Sequence, residues 1–171
     1  MFNLKYIKYM KNLILLLFIS LAACTNAQDK TQFSEKALAD TMLDMQGSQI
    51  SFSEIIEQYK GKKIVIDVWA SWCGDCIGGM PKVKQLQNEY TEAVYLFLSL
   101  DKNYKAWQSG IKKYQVKGEH YFIPGGWNSD FNKSIDLDWI PRYIIVGADG
   151  KIELFKATKA SDKKLEIAIE S

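Results

Sequence analysis

Cysteine, proline and histidine are scarce in this chain. Its 171 residues include three cysteines, three prolines and one histidine, against 47% hydrophobic and 25% charged residues. So few cysteines exclude a disulfide-dense mini-protein, and so few prolines beside 13% aromatics exclude a collagen-like repeat and a disordered tail. Net charge is close to absent, at +2. Lys5, Lys8 and Lys11 precede the first acidic residue, Asp29; taking those three from the 22 basic residues leaves 19 against 20 acidic ones. The basic excess therefore belongs to the first residues, which excludes a nucleic-acid footprint. No glycine-rich phosphate loop or nucleotide motif occurs. The length suits one domain, with room for a short leader.

Long hydrophobic runs are also missing. The longest begins at residues 13–19 and reaches about a dozen residues by Ala23, short of the ~18–20 that a bilayer span requires. A lysine-bearing start, a short apolar core and small residues at its end read as a secretory signal over residues 1–23; a buried core helix or a transmembrane anchor is the alternative. Leu21-Ala22-Ala23-Cys24 resembles the lipobox of bacterial lipoproteins. That resemblance implies that Cys24 becomes a lipid-bearing N-terminus held on a membrane. Residues 24–40 are then the lipidated end and tether, and residues 41–171 the folded domain. Met10-Lys11 serves equally well as the start of a compact signal.

The remainder carries a readable pattern. Residues 42–45 and 49–52 flank Gly47 as a small hairpin or an extended lead-in. Ser51 and Glu54 have the spacing of a capping box, for a helix with Ile55, Ile56 and Tyr59 on its apolar side and Gly61 past its end. The β-branched run Ile64-Val65-Ile66-Asp67-Val68-Trp69 predicts a central strand buried on both faces. A helix is expected from Cys76 to about Tyr90, with Met80, Val83, Leu86 and Tyr90 inward. Residues 94–100 predict a second buried strand, and Tyr104, Trp107, Ile111 and Tyr114 recur at helical spacing. Residues 143–146 and 151–155 are strands joined by Gly147-Ala148-Asp149-Gly150. Ser161 is expected to cap a last helix with Leu165, Ala168 and Ile169 inward. The fold class is α/β: three layers, with a mixed sheet between helices.

With Cys24 assigned to the anchor, Cys73 and Cys76 remain, too close together to staple distant segments. With His120 they are too few for a four-thiolate zinc site, and no metal or other cofactor is implied. A thiol attacks a disulfide as its thiolate. Cys73 at a strand-to-helix turn meets the positive end of the helix, which lowers its pKa below the usual ~8.5. Cys76, one turn further in and more buried, can resolve the mixed disulfide, and the spacing lets the two sulfurs bond. Gly74 leaves room for a partner chain.

Val68-Trp69-Ala70-Ser71-Trp72-Cys73-Gly74-Asp75-Cys76 resembles the thioredoxin superfamily, and within it the exported, membrane-anchored thiol–disulfide oxidoreductases of the TlpA/ResA type. The resemblance extends over residues 42–171. Pro81 matches the family's helix proline, Trp139-Ile140-Pro141 its cis-proline loop, and the segment 147–152 its late hairpin. It implies a thioredoxin-like fold and a cis Ile140–Pro141 bond packed against the cysteine pair. It also implies that the Ile140 backbone pairs with an extended substrate chain. Substrate contact then falls to Trp72, Gly74, Asp75, Ile140 and Pro141.

Asp67 interrupts an apolar strand. A buried lone carboxyl tends to stay protonated and can take the Cys76 proton during resolution, the role of the acid at this position in thioredoxins; the alternative is an aspartate hydrogen-bonded at a sheet edge. Asp75 stands where the family more often has proline. Its charge either repels the Cys73 thiolate and makes the pair less oxidising, or is screened by solvent. Gly78 and Gly79 either loosen the helix, admit a partner closely, or are neutral. His120 reads as a loop or core histidine. Trp127 reads as core or loop cover, with a substrate cleft beside Trp72 as the alternative, while Trp139 suits cleft and cover equally. The pairs Lys62-Lys63, Lys112-Lys113 and Lys163-Lys164 read as solvated faces.

The sequence thus predicts a lipid-anchored thiol–disulfide oxidoreductase of the bacterial cell envelope, facing the periplasm or exterior. Its expected substrates are disulfides of exported proteins, and a membrane electron donor re-reduces it. An oxidase or isomerase uses the same parts at another potential. A tethered peptide-binding module without catalysis is a further alternative, and a peroxidase the least suited.

Overall fold

A computed structural model describes residues 30–171. The signal, the lipobox and Cys24 lie outside the described residues. Helix α1 (Glu35–Leu38) leads into a hairpin of β1 (Thr41–Leu43) and β2 (Gln49–Ser51), then α2 (Phe52–Gln58) and β3 (Ile64–Trp69). After β3 come α3 (Gly74–Glu89), β4 (Val94–Ser99), α4 (Tyr104–Tyr114) and β5 (Glu119–Phe122). A short 3-10 turn (Gly126–Asn128) and α5 (Asp130–Ser134) precede β6 (Arg142–Val146), β7 (Ile152–Ala157) and α6 (Lys163–Glu170).

The strands form one mixed sheet in the order β2-β1-β5-β4-β3-β6-β7. β3 runs parallel to β4 and antiparallel to β6, and every one of its side chains is buried. The continuous β-branched run thus sits at the sheet centre, where helices cover both faces. Crossovers from β3 to β4 and from β4 to β5 move in one direction across the sheet, so right-handed connections put α3 and α4 on one face. Lys84 Nζ donates to the Tyr114 carbonyl at 3.3 Å and Gln87 to the Lys117 carbonyl at 2.7 Å, tying these helices together. Lys82 pairs with Glu166 at 3.8 Å and sets α6 beside them. The crossover from β2 to β3 runs the opposite way and places α2 on the other face, where Phe52 meets Phe33 and Phe131 at centroid distances of 4.9 and 4.6 Å.

The capping box forms as expected. Ser51 Oγ accepts from the Glu54 amide at 3.3 Å, and Glu54 accepts from the Ser51 amide at 2.9 Å. Three expectations change. Helix α3 starts at Gly74 rather than Cys76, because Cys73 itself is its N-cap. Helix α6 is capped by Asp162, not Ser161: the Asp162 carboxylate accepts the Lys164 amide at 2.9 Å. Lys63 is not a solvated charge; it pairs with Glu153 and donates to the Ala168 carbonyl at 2.9 Å, closing the end of α6. Strand β5, unforeseen from the sequence, depends on Gly118. At φ +135° a Cβ there would stand 2.6 Å from the Tyr95 carbonyl oxygen and 2.8 Å from the Phe97 ring. Gly118→Ala is expected to destabilise the protein by about 1–3 kcal/mol, since neither the strand backbone nor the buried ring can give way. Denaturant unfolding measures this; an unchanged midpoint would show that β5 is placed by other contacts.

Candidate active site

Strand β3 delivers the chain to Ala70 and Ser71, and a turn closed by the Cys73 amide on the Ala70 carbonyl at 3.1 Å brings Cys73 to the head of α3. Cys73 caps the helix with its own sulfur, which accepts from the Cys76 amide at 3.1 Å. The positive end of the helix therefore acts on this sulfur through a specific N–H, the arrangement that favours a thiolate once the pair is reduced. Cys73 and Cys76 are joined as a disulfide with Cα atoms 5.3 Å apart. Both are buried, Cys76 at 1% exposure and Cys73 at 6%, so the leading sulfur is the more accessible one.

Three distant segments hold this turn. The Ile140–Pro141 bond is cis, and the Ile140 carbonyl oxygen lies 3.6 Å from Cys73 Sγ. Arg142, directly after the proline, is fully buried and draws the preceding loop inward. Its guanidinium donates to the Ile135 carbonyl at 2.7 Å and the Asp136 carbonyl at 3.3 Å, and pairs with Asp138. The loop so held presents Trp139 and Ile140. Asp101, also buried, grips the other side. Its carboxyl accepts from Ser71 Oγ at 2.6 Å, from the Ser71 amide at 3.1 and 3.2 Å, and from Ser99 Oγ at 2.9 Å. Gly110 of α4 backs directly onto Ser71 with no room for a side chain.

Asp67 is at the sheet centre, not at an edge, so the edge-aspartate alternative fails. It is paired in register with Tyr143 on β6 and Phe97 on β4. Neither of its oxygens makes a hydrogen bond of normal geometry; the Tyr143 hydroxyl is the polar group that acts on it. Burial pushes its pKa up to about 8, an effect the tyrosine only partly offsets. The same burial, together with Asp67, raises the tyrosine's own pKa. That hydroxyl sits under α3: a Cβ on Gly79, three residues past Cys76, would lie 3.4 Å from it. Gly79 thus has a packing reason, whereas a Cβ on Gly78 or Gly74 meets nothing within 4 Å.

The surface around Cys73 is aromatic. A cavity of about 390 Å³ is lined by Trp72, Cys73, Gly74, Asp75, Trp127, Asp138, Trp139 and Ile140. Of the two readings of Trp127 the cleft one fits: it is 43% exposed and stands on this rim, with Trp72 at 51% and Trp139 at 59%. Trp139 Nε1 donates to the Asp75 carboxylate at 3.3 Å. His120 stays away from the site: its Nε2 lies 3.1 Å from the Val116 carbonyl and its ring stacks on Phe97, with burial lowering its pKa. Asp101 and Arg142 were not foreseen as site residues.

Comparison with known proteins agrees with this geometry. The family model described as Redoxin matches residues 29–166. The thiol–disulfide oxidoreductase ResA of Bacillus thuringiensis is 24% identical over 127 residues, covering 73% of this chain and 69% of that one. The thioredoxin-like protein YneN of Bacillus subtilis is 30% identical over 115 residues, 65% of each chain. A solution structure from Bacteroides vulgatus, provisionally assigned as a thiol–disulfide oxidoreductase, is 36% identical with a TM-score of 0.64, covering 78% of this chain and 85% of that one.

Because the folded-state pKa of Asp67 is raised, the native state is penalised increasingly as pH rises from the model-peptide value of 3.8 toward about 8, where the buried carboxyl must ionise. Asp67→Asn removes that penalty. Its stability relative to wild type should rise by up to about 1.4 kcal/mol per pH unit across this window, measured on the oxidised protein by denaturant unfolding. A difference independent of pH would show that Asp67 is not a neutral acid in the native state.

Proposed function

The chain belongs to the redoxin family and is a thiol–disulfide oxidoreductase with a thioredoxin-like fold, and we propose that it reduces disulfides of exported proteins outside the cytoplasm. The observation that carries the reading is the Cys73 sulfur, capped by the Cys76 amide and facing an open aromatic cavity beside cis-Pro141. In the reduced enzyme the Cys73 thiolate attacks a substrate disulfide. One Cys73–substrate disulfide forms, and the first substrate sulfur leaves as a thiolate that takes a proton from water. Cys76 then loses its proton to the ionised fraction of Asp67, whose raised pKa brings it close to that of a thiol. The Cys76 thiolate attacks Cys73 Sγ, closing the Cys73–Cys76 disulfide and releasing the second substrate thiolate. Two electrons have moved from the dithiol to the substrate. No other cofactor is needed.

The reducing direction is supported by the charge around Cys73. Asp75 lies in the first turn of α3, and the Asp101 carboxyl is bonded to the backbone two residues before Cys73. A negative group near a thiolate raises the energy of the reduced, ionised state and makes the couple a stronger reductant. Export and anchoring are supported by the leader and by the Leu21-to-Cys24 motif. Among the described residues no helix is long and apolar enough to cross a membrane. On this reading residues 1–23 are removed, Cys24 carries lipid and a membrane electron donor restores the dithiol; the tether expected over residues 24–40 ends earlier, because Phe33 and α1 pack into the domain.

Cys73→Ser should abolish dithiol-driven reduction of insulin, while Cys76→Ser should accumulate a mixed disulfide visible on non-reducing gels. Equilibration with glutathione should place the couple near or below about −270 mV, and a value near −120 mV would make the protein an oxidant instead. Asp75→Asn should shift the couple toward oxidising potentials; an unchanged or more reducing value would remove Asp75 from the argument.

A further inference from the structure

A second cavity of about 530 Å³ adjoins the one at Cys73. It is lined by Gly78, Gly79, Lys82, Pro141 and the segment 158–161, and it shares Gly74, Asp75 and Trp139 with the first. The residues common to both are those of the Trp139–Asp75 hydrogen bond and the glycine beneath it. The bond therefore stands on the partition between two halves of one groove. We propose that the indole–carboxylate bridge is a latch across a groove for an extended polypeptide, and that a disulfide-bearing protein substrate opens it to lie from Trp127 past Cys73 and Pro141 to Ala160. This rests on the oxidoreductase reading and adds to it a contact that a protein substrate must open.

Four observations converge on that occupant. Gly78 lowers helix stability by about 1 kcal/mol relative to alanine, yet a Cβ there or at Gly74, the first residue of α3, meets only open space, so internal packing requires neither. They leave a strip of α3 backbone bare along the floor of both cavities. The Ile140 amide, at the wall of the first cavity, has no hydrogen-bond partner among the described residues. Such a donor suits the main chain of an added strand. Trp72, Trp127 and Trp139 offer apolar faces at one end, while Lys159, exposed and unpaired among the described residues, lines the other. A small disulfide needs only the first cavity. A polypeptide needs both, and so must displace the bridge.

The experiment compares kcat/KM for insulin with that for oxidised glutathione in four proteins. Trp139→Phe keeps a ring but removes the indole donor, and Asp75→Ala removes the acceptor. Both should raise the insulin-to-glutathione ratio about two- to tenfold, the range that one net hydrogen bond supplies, through a lower KM for insulin. Asp75→Asn retains an amide oxygen that accepts from the indole, so its ratio should stay with wild type even though its charge is gone. A ratio that follows the charge, with Asp75→Asn matching Asp75→Ala, overturns the latch and leaves the oxidoreductase intact. A ratio unchanged in Trp139→Phe does the same. A wild-type protein that reduces neither disulfide overturns both readings.

Discussion

A single hydrogen bond organises this molecule: the Cys76 amide directed at Cys73 Sγ. It exists because a strand buried on both faces ends where a helix begins, leaving the first amides of the helix without carbonyl partners. In most helices a serine, threonine or aspartate oxygen fills that position. Here a sulfur fills it, so the group that completes the helix is also the group that can do chemistry. A thiolate accepts hydrogen bonds more strongly than a disulfide sulfur, so the same amide is placed to stabilise Cys73 once the pair is reduced. Structure and reactivity share one contact, which is why everything that positions β3 and α3 bears on the reaction.

The supports around that contact are polar, buried and distant in sequence. Asp101 reaches Ser71 across 30 residues, and the Ile140 carbonyl reaches Cys73 across 67. Arg142 is the costliest of these groups to bury, and it is retained because it bonds two carbonyls and a carboxylate of the loop that carries Ile140. Asp138 in turn bonds Lys156 at 2.6 Å, linking the cis-proline loop to β7. The loop is held from beneath, leaving its outer surface, with Trp139 and the Ile140 amide, free for a partner.

What the sequence disclosed and what it withheld divide along the range of the forces involved. The capping box at Ser51, strand β3, the hairpin after Val146 and the cysteine turn are local signals: a period, a cap or a turn legible within about ten residues. The cis bond at Pro141 came from resemblance, since nothing in its neighbours demands it. Strand β5 has four residues, too few to display alternation, and it exists through the Gly118 bend and pairing with β4. Trp127 left cover and cleft both open because an isolated tryptophan in a loop has no periodicity to read; only the fold sets it beside Cys73. Asp101 and Arg142 likewise carry no local signal of their burial; only the fold sets them against the loops they hold. Ser161 and Asp162 are adjacent and both able to cap, and the choice between them depends on a backbone turn that spacing does not encode.

Asp67 shows how the fold tolerates a group it cannot satisfy. A lone carboxyl at the centre of the sheet is expensive as an anion and inexpensive as a neutral acid, so burial settles it as the acid near neutral pH. The Tyr143 hydroxyl keeps the anion from being wholly inaccessible, and Gly79 lets α3 come down onto that hydroxyl without a side chain between. The two polar groups are thereby sealed in the layer beneath the helix that carries Cys76. Replacing Asp67 by an apolar residue would suit the core better, and would leave the Tyr143 hydroxyl without the carboxyl it acts on. The unpaired carboxyl and the amides of a helix end are then two parts of one arrangement, the first enclosed beneath α3 and the second directed at the Cys73 sulfur.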